Sequence, residues 1–166
     1  MERIAEFEKV SFENFEEAMK DAFPGISEIR EIYDGICLPR RATSGSAGYD
    51  FFLTADIALA PGETVKIPTG IRARMEEGWV LLLYPRSGLG FKFRLQLNNT
   101  VGVIDSDYAW AENEGHIITS LRNPSDQEVI IRRGERFCQG VLVPFGTAEE
   151  EEVSAERKGG FGSTGS

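Results

Sequence analysis

The chain has 166 residues, 41% hydrophobic and 27% charged, enough for one domain with its own core. Its formal net charge is −9, from 18 Lys+Arg against 27 Asp+Glu, with no basic stretch. That balance excludes a protein that holds duplex DNA or RNA by its phosphates, while leaving room for a pocket where a few arginines meet a small anion.

Two cysteines, Cys37 and Cys138, with no CxxC pair, rule out a disulfide framework and a zinc or redox site; both are expected to be buried or part-buried thiols. The one histidine, His116, cannot form a metal cluster by itself and reads as a structural or surface residue. No apolar stretch approaches the ~18 residues of a membrane span. The N-terminus, MERIAEFEKV, is too charged for a secretory signal, so the chain reads as cytoplasmic.

In chain order, the first predicted element is an amphipathic helix over 11–23. Ser11 can cap it, Phe12, Phe15, Ala18, Met19 and Phe23 recur every three to four residues, and Pro24-Gly25 ends it. From about residue 28 the pattern changes to short runs rich in Val, Ile, Leu and Phe. Strands are expected at 48–53, 64–68, 71–74, 79–84, 95–97, 116–122, 128–131 and 139–144, with Pro61-Gly62, Glu77-Gly78, Pro124-Ser125 and Arg133-Gly134 as turns. Many short strands without intervening helices predict an all-β sandwich, barrel or jelly roll. An acidic run at 149–152 reads as a solvated connector. The Gly/Ser-rich end at 159–166 reads as a floppy tail, except that Phe161 sits in its middle.

Four glycine-marked stretches could carry chemistry. In Pro85-Arg86-Ser87-Gly88 a guanidinium, a hydroxyl and close backbone N–H groups could meet a phosphate, though the same string also makes an ordinary turn. Between Asn98 and Tyr108, an apolar Gly102-Val103-Ile104 run flanked by Asn99 and Asp105 offers a slot for a base; Asp105 is a candidate general base or merely a turn cap with Asp107. In 134–139 Arg136 suits a structural ion pair or a phosphate. In 157–164 the accessible N–H groups of Gly159, Gly160 and Gly162, the hydroxyls of Ser163 and Thr164, and the face of Phe161 have the composition of a phosphate-closing lid.

Read in order, five motifs resemble the trimeric dUTPase family: Ser46-Ala47-Gly48-Tyr49-Asp50, PRSG at 85–88, GVIDSDY at 102–108, GERFCQ at 134–139 and GGFGSTG at 159–165. The resemblance covers about 35–166. It implies a jelly-roll-like β-barrel or sandwich with an N-terminal helical extension, in three parts: extension 1–27, β domain 28–148 and flexible C-terminal arm 149–166. It also implies a homotrimer with active sites shared between chains. The implied reaction is hydrolysis of dUTP to dUMP and pyrophosphate by water attack at the α-phosphate, which limits uracil in DNA and supplies dUMP for thymidylate synthesis. Carried over residue by residue, Asp105 matches the water-activating carboxylate and Arg157 the arginine finger, with Lys158 in reserve. Arg86, Ser87, Gly88 and Gln139 resemble phosphate ligands. Asn99 and the backbone of Gly102, Val103 and Ile104 resemble the uracil-reading hairpin, and Tyr108 the aromatic against deoxyribose. Phe161 would stack on uracil, Gly162, Ser163 and Thr164 would close over the phosphates, and Asp50 and Arg136 would support the site. Mg²⁺ is implied as cofactor, held by phosphates and water with no protein ligand set, in line with its reluctance to shed water.

Three departures stand out. Tyr108 is followed by Ala109-Trp110-Ala111-Glu112, and the matching glycine is Gly115, implying an insertion of about five residues. Glu156 stands where the family's arm commonly has its arginine. The helix at 11–23 precedes the usual start of the fold, and its role, covering a trimer surface or binding a partner, is left open. Two alternatives remain on the same fold. A dCTP deaminase would need a glutamate where this chain has Ser120, and a hydroxyl cannot shuttle that proton at neutral pH. A non-catalytic regulatory protein could dispense with Asp105 and the arm, and this chain keeps both.

Overall fold

In the computed structural model, residues 3–149 are described. A strand comes first: β1 (Ala5–Lys9) pairs antiparallel along 71–75. Its Glu8 meets Arg72 at 2.8 Å and Arg74 at 2.6 Å, so the charged face of this strand is satisfied across the pairing. The expected helix follows as α1 (Phe12–Ala22), where the Ser11 hydroxyl accepts from Asn14 N at 3.2 Å and so satisfies one orphan amide of the first turn. Its Phe15 and Met19 are fully buried.

A second helix, α2 (Ile29–Asp34), corrects the expectation that no helix follows residue 28. It buries Ile29 and Ile32 and brings Tyr33 edge-on to Phe12 at 5.5 Å, closing a small core of Val10, Phe15, Met19 and Ala55. Cys37, just beyond it, is exposed rather than part-buried, because this core ends at Ile36.

Strands then dominate: β2 (Arg40–Arg41), β3 (Tyr49–Phe52), β4 (Ile57–Leu59), β5 (Thr64–Pro68), β6 (Ile71–Met75) and β7 (Trp79–Pro85). The PRSG string is not a bare turn but leads into a third short helix, α3 (Ser87–Phe93). Next come β8 (Gln96–Leu97) and β9 (Gly102–Asp105), joined by a tight turn with one bridge from Leu97 to Thr100, and a 3-10 turn at Ser106–Trp110. Last come β10 (Ile118–Arg122), β11 (Val129–Ile131) and β12 (Arg136–Pro144).

The described strands form a five-stranded sheet (β2-β3-β12-β7-β9), a three-stranded one (β5-β10-β8) and two pairs (β1-β6 and β11-β4), antiparallel throughout. The main core lies between their inner faces, with Phe51, Ile67, Leu81, Leu83, Ile117, Leu121 and Phe137 all at 1% exposure or less. No helix among the described residues is long and apolar enough to cross a membrane.

Candidate active site

The five-stranded sheet assembles one half of the site. Its register sets Gln139 of β12 between Asp50 of β3 and Tyr84 of β7. Asp50, 2% exposed, accepts from Arg86 Nη1 at 2.8 Å and from Arg136 Nη1 at 3.2 Å. One buried carboxylate thus gathers two guanidiniums, which leaves a net positive charge and further N–H donors for an anion. Both arginines reach solvent, with side chains 27% and 50% exposed. Ser87 and Gly88 are exposed at the start of α3, where first-turn N–H groups have no intrahelical acceptor. Gly48 lets the Gln139 amide lie close: a Cβ there would fall 2.6 Å from Oε1, the movable end of that side chain. Cys138 lies beneath, and burial, aided by the charge of Asp50, pushes its thiol far above the ordinary range, so it is no nucleophile.

The turn from β8 to β9 builds the other half. Thr100 donates from N to Leu97 O at 2.8 Å with φ +66°, which turns the chain sharply at its tip. Asn99 and Gly102 border a cavity of about 470 Å³, with Leu83 and Leu97 supplying apolar wall. Beyond Gly102, Val103 is exposed, Ile104 is buried and Asp105 ends the strand opposite Val80. Tyr108, 3% exposed, donates its hydroxyl to His116 O at 2.8 Å and accepts from Asn113 Nδ2 at 2.8 Å.

His116 is structural. Its Nε2 accepts from Gly70 N at 2.9 Å, so Nδ1 carries the proton and donates to Asn14 Oδ1 of α1 at 2.8 Å. Burial, only partly opposed by Glu114, draws its pKa down to about 4 and keeps the ring neutral. The segment after Tyr108 closes on itself at Gly115. With φ +69°, a Cβ there would meet Ala109 Cα at 2.5 Å, so only glycine lets the loop end against its own start. Asn113, the partner of Tyr108, went unnoticed in the sequence because an amide inside an insertion carries no motif.

Within one chain the two halves stand apart. Leu83 faces Gly102 and Val80 faces Asp105, while Arg86 follows the last residue of β7. Six residues at ~3.3 Å each separate Asp105 from Arg86 by roughly 20 Å along the strand. Asp50, Arg136 and Gln139 belong with Arg86; Asn99 and Tyr108 belong to the hairpin and the turn after it. Arg157, Lys158, Phe161, Gly162, Ser163 and Thr164 lie outside the described residues. Among the described residues, no three His, Cys, Asp or Glu side chains come together to hold a metal.

The described residues thus present a cationic cluster at one place and an amide-edged cavity at another, on an antiparallel β framework. Residues 34–165 match the dUTPase family model. Similar proteins include the deoxyuridine 5'-triphosphate nucleotidohydrolases of Lactococcus lactis, 49% identical over 134 residues (79% of this chain, 89% of that one), and Thiobacillus denitrificans, 43% identical over 136 (77% and 90%). The crystal structure of dUTPase from Streptococcus mutans is similar at TM-score 0.64 and 36% identity, covering 86% of this chain and 98% of that one. The chain belongs to the dUTPase family. A Staphylococcus bacteriophage 80alpha dUTPase with dUPNHPP, at 24% identity, shares the fold at TM-score 0.65, covering 99% of this chain and 100% of that one.

Proposed function

We propose that the chain hydrolyses dUTP to dUMP and pyrophosphate as a homotrimer whose active sites are each built from more than one subunit. The observation that carries this reading is the separation of Asp105 from the Asp50–Arg86–Arg136 cluster by roughly 20 Å of β7. A triphosphate of ordinary length cannot touch both within one chain, whereas the cluster of one subunit can serve the hairpin of the next.

In this reading the Asn99 amide and the backbone of Gly102, Val103 and Ile104 read the uracil edge. Tyr108, its hydroxyl engaged inward, sets its ring against deoxyribose. Arg86, with the first-turn N–H groups of Ser87 and Gly88 and the Gln139 amide, holds the phosphates, while Asp50 and Arg136 fix that arginine. Asp105 takes a proton from water as the water oxygen bonds to the α-phosphorus, and the bridging oxygen leaves with pyrophosphate. Mg²⁺ brought in on the substrate phosphates would neutralise charge on the leaving group, next to the phosphate ligands Arg86, Ser87, Gly88 and Gln139. Arg157 or Lys158, Phe161, Gly162, Ser163 and Thr164 form the closing arm.

We read residues 28–148 as the β domain in jelly-roll form, with 1–27 as an extension, 149–166 as the arm, and the cytoplasm as the site of action. The test mixes two inactive variants, Asp105→Asn and Arg86→Ala. Exchange of subunits should restore pyrophosphate release from dUTP, since a mixed trimer contains sites with both groups intact. Verified exchange with no regained activity would count against shared sites.

A further inference from the structure

The N-terminal helix and the loop after Tyr108 take no part in the proposed reaction, yet they meet beside the nucleoside cavity. α1 contributes Ala18, Asp21 and Ala22 to the lining of the cavity that Asn99 and Gly102 border. Ala18 and Ala22 are four residues apart and so share a helix face, next to the face that Phe15 and Met19 anchor in the core. Asp21 and Lys66, also lining, pair at 3.6 Å and add no net charge, which suits this cavity to the uncharged half of a nucleotide.

Helix and loop are bonded to each other. Ser11 donates from its N and Oγ to the Glu114 carboxylate at 2.7 and 2.5 Å. Asn14 Nδ2 donates to Asn113 O at 3.1 Å, and His116 donates back to Asn14 at 2.8 Å. Asn113, itself in the lining, then donates to the Tyr108 hydroxyl. A continuous hydrogen-bonded path thus leads from the helix start to the aromatic beside the base hairpin.

We infer that α1 is a wall of the nucleoside pocket and that Asn113 is the positioning residue tying this wall to Tyr108, so the N-terminal helix helps determine which base and sugar fit. This rests on reading the cavity as the deoxyuridine site. The small side chains at 18 and 22 are what leave it room. Leucine there would add three carbons towards the ligand while keeping a strong helix former in place.

The experiment measures dUMP binding to the full chain by calorimetry, with inorganic tripolyphosphate as a probe of the phosphate half. Ala18→Leu and Ala22→Leu should each weaken dUMP at least about tenfold, the usual scale of overpacking, with tripolyphosphate binding and Tm held. Ala22→Ser, which stays small, should bind dUMP within about twofold of wild type. Asn113→Ala should weaken dUMP and narrow its margin over UMP, since Tyr108 loses a partner. If one leucine variant fails to fold, the other and Asn113→Ala decide. Folded leucine variants that bind dUMP like wild type overturn the inference, as does a wild type that does not bind dUMP. A wild type that binds dUMP but releases no pyrophosphate from dUTP counts against the catalytic reading alone.

Discussion

At one end of β7 a buried carboxylate gathers two arginines; against the β8–β9 turn lies a cavity lined by amides, apolar side chains and the Asp21–Lys66 pair, with no net charge. The first half acts through Coulomb attraction, which reaches about 10 Å in ordinary salt and tolerates small errors of position. The second acts through hydrogen-bond pattern and shape, which fail within tenths of an ångström. Under the function proposed above, the contrast teaches a division of labour: charge would supply affinity for the triphosphate, and the cavity would choose among bases. A chain with net charge −9 can still present a local positive spot, because Arg86 and Arg136 share one carboxylate.

The largest expected effect falls between the halves. Asp105→Asn should keep binding of a non-hydrolysable dUTP analogue and lower kcat by ~10²–10⁴, the usual contribution of a general base. Near-normal turnover would remove Asp105 from the mechanism. Acid should then strike the nucleoside side. The unfolded chain protonates His116 near its ordinary 6.5, whereas the folded one resists to about 4. Stability is therefore full above 6.5 and declines as pH falls from 6.5 to 4, by about 3 kcal/mol in all at ~1.4 kcal/mol per unit. Glu114 lies low despite burial, because two bonds from Ser11 outweigh it, and so adds a loss of the same sign. Denaturant melts at pH 7, 5.5 and 4 check this, and His116→Gln, which can both donate and accept without charging, should flatten the slope. A pH-independent midpoint in wild type would refute it.

Next in size is selectivity. Asn99→Ala removes an amide from the base edge and should narrow the kcat/KM preference for dUTP over dCTP by ~1–3 kcal/mol, the cost of unpaired buried polar groups. Arginine-half variants should instead weaken both substrates alike; a selectivity change from Arg86→Lys would blur the division. The smallest effect is on Asp50→Asn. With its arginine partners part-exposed, at 27% and 50%, solvent screens the lost attraction, and a stability loss of about 1–2 kcal/mol is expected from melting curves. Salt should weaken tripolyphosphate binding more than dUMP binding.

Much of this frame could be read from the residues. The period of Phe12, Phe15 and Met19 gave α1, and the long apolar runs gave β5, β7 and β12 within a residue or two at most ends. β1 stayed hidden because Glu6 and Glu8 look too charged for a strand; the arginines that satisfy them, Arg72 and Arg74, lie more than sixty residues away. α2 stayed hidden because it is six residues long and Glu28 before it, at φ +61°, offers no side-chain cap. α3 contains two glycines, and its opening PRSG suits a turn equally well. At the site, Asp50, Arg86 and Arg136 were all legible as charged motif residues, but not that one carboxylate serves both arginines. Nor could spacing reveal that Asp105 lies opposite the start of β7 while Arg86 follows its end, since that depends on strand register.

The inserted loop also gives the molecule an optical handle. Of the two tryptophans, Trp79 is half-buried where β7 begins, and Trp110 stands 71% exposed two residues after Tyr108. Its indole emits from a wet environment and is open to a neutral quencher such as acrylamide. A ligand or neighbouring subunit that covers the loop must dry that ring and shift its emission to the blue. Titrations of nucleotide or subunit concentration can therefore be followed by native fluorescence, with no dye attached and no residue replaced.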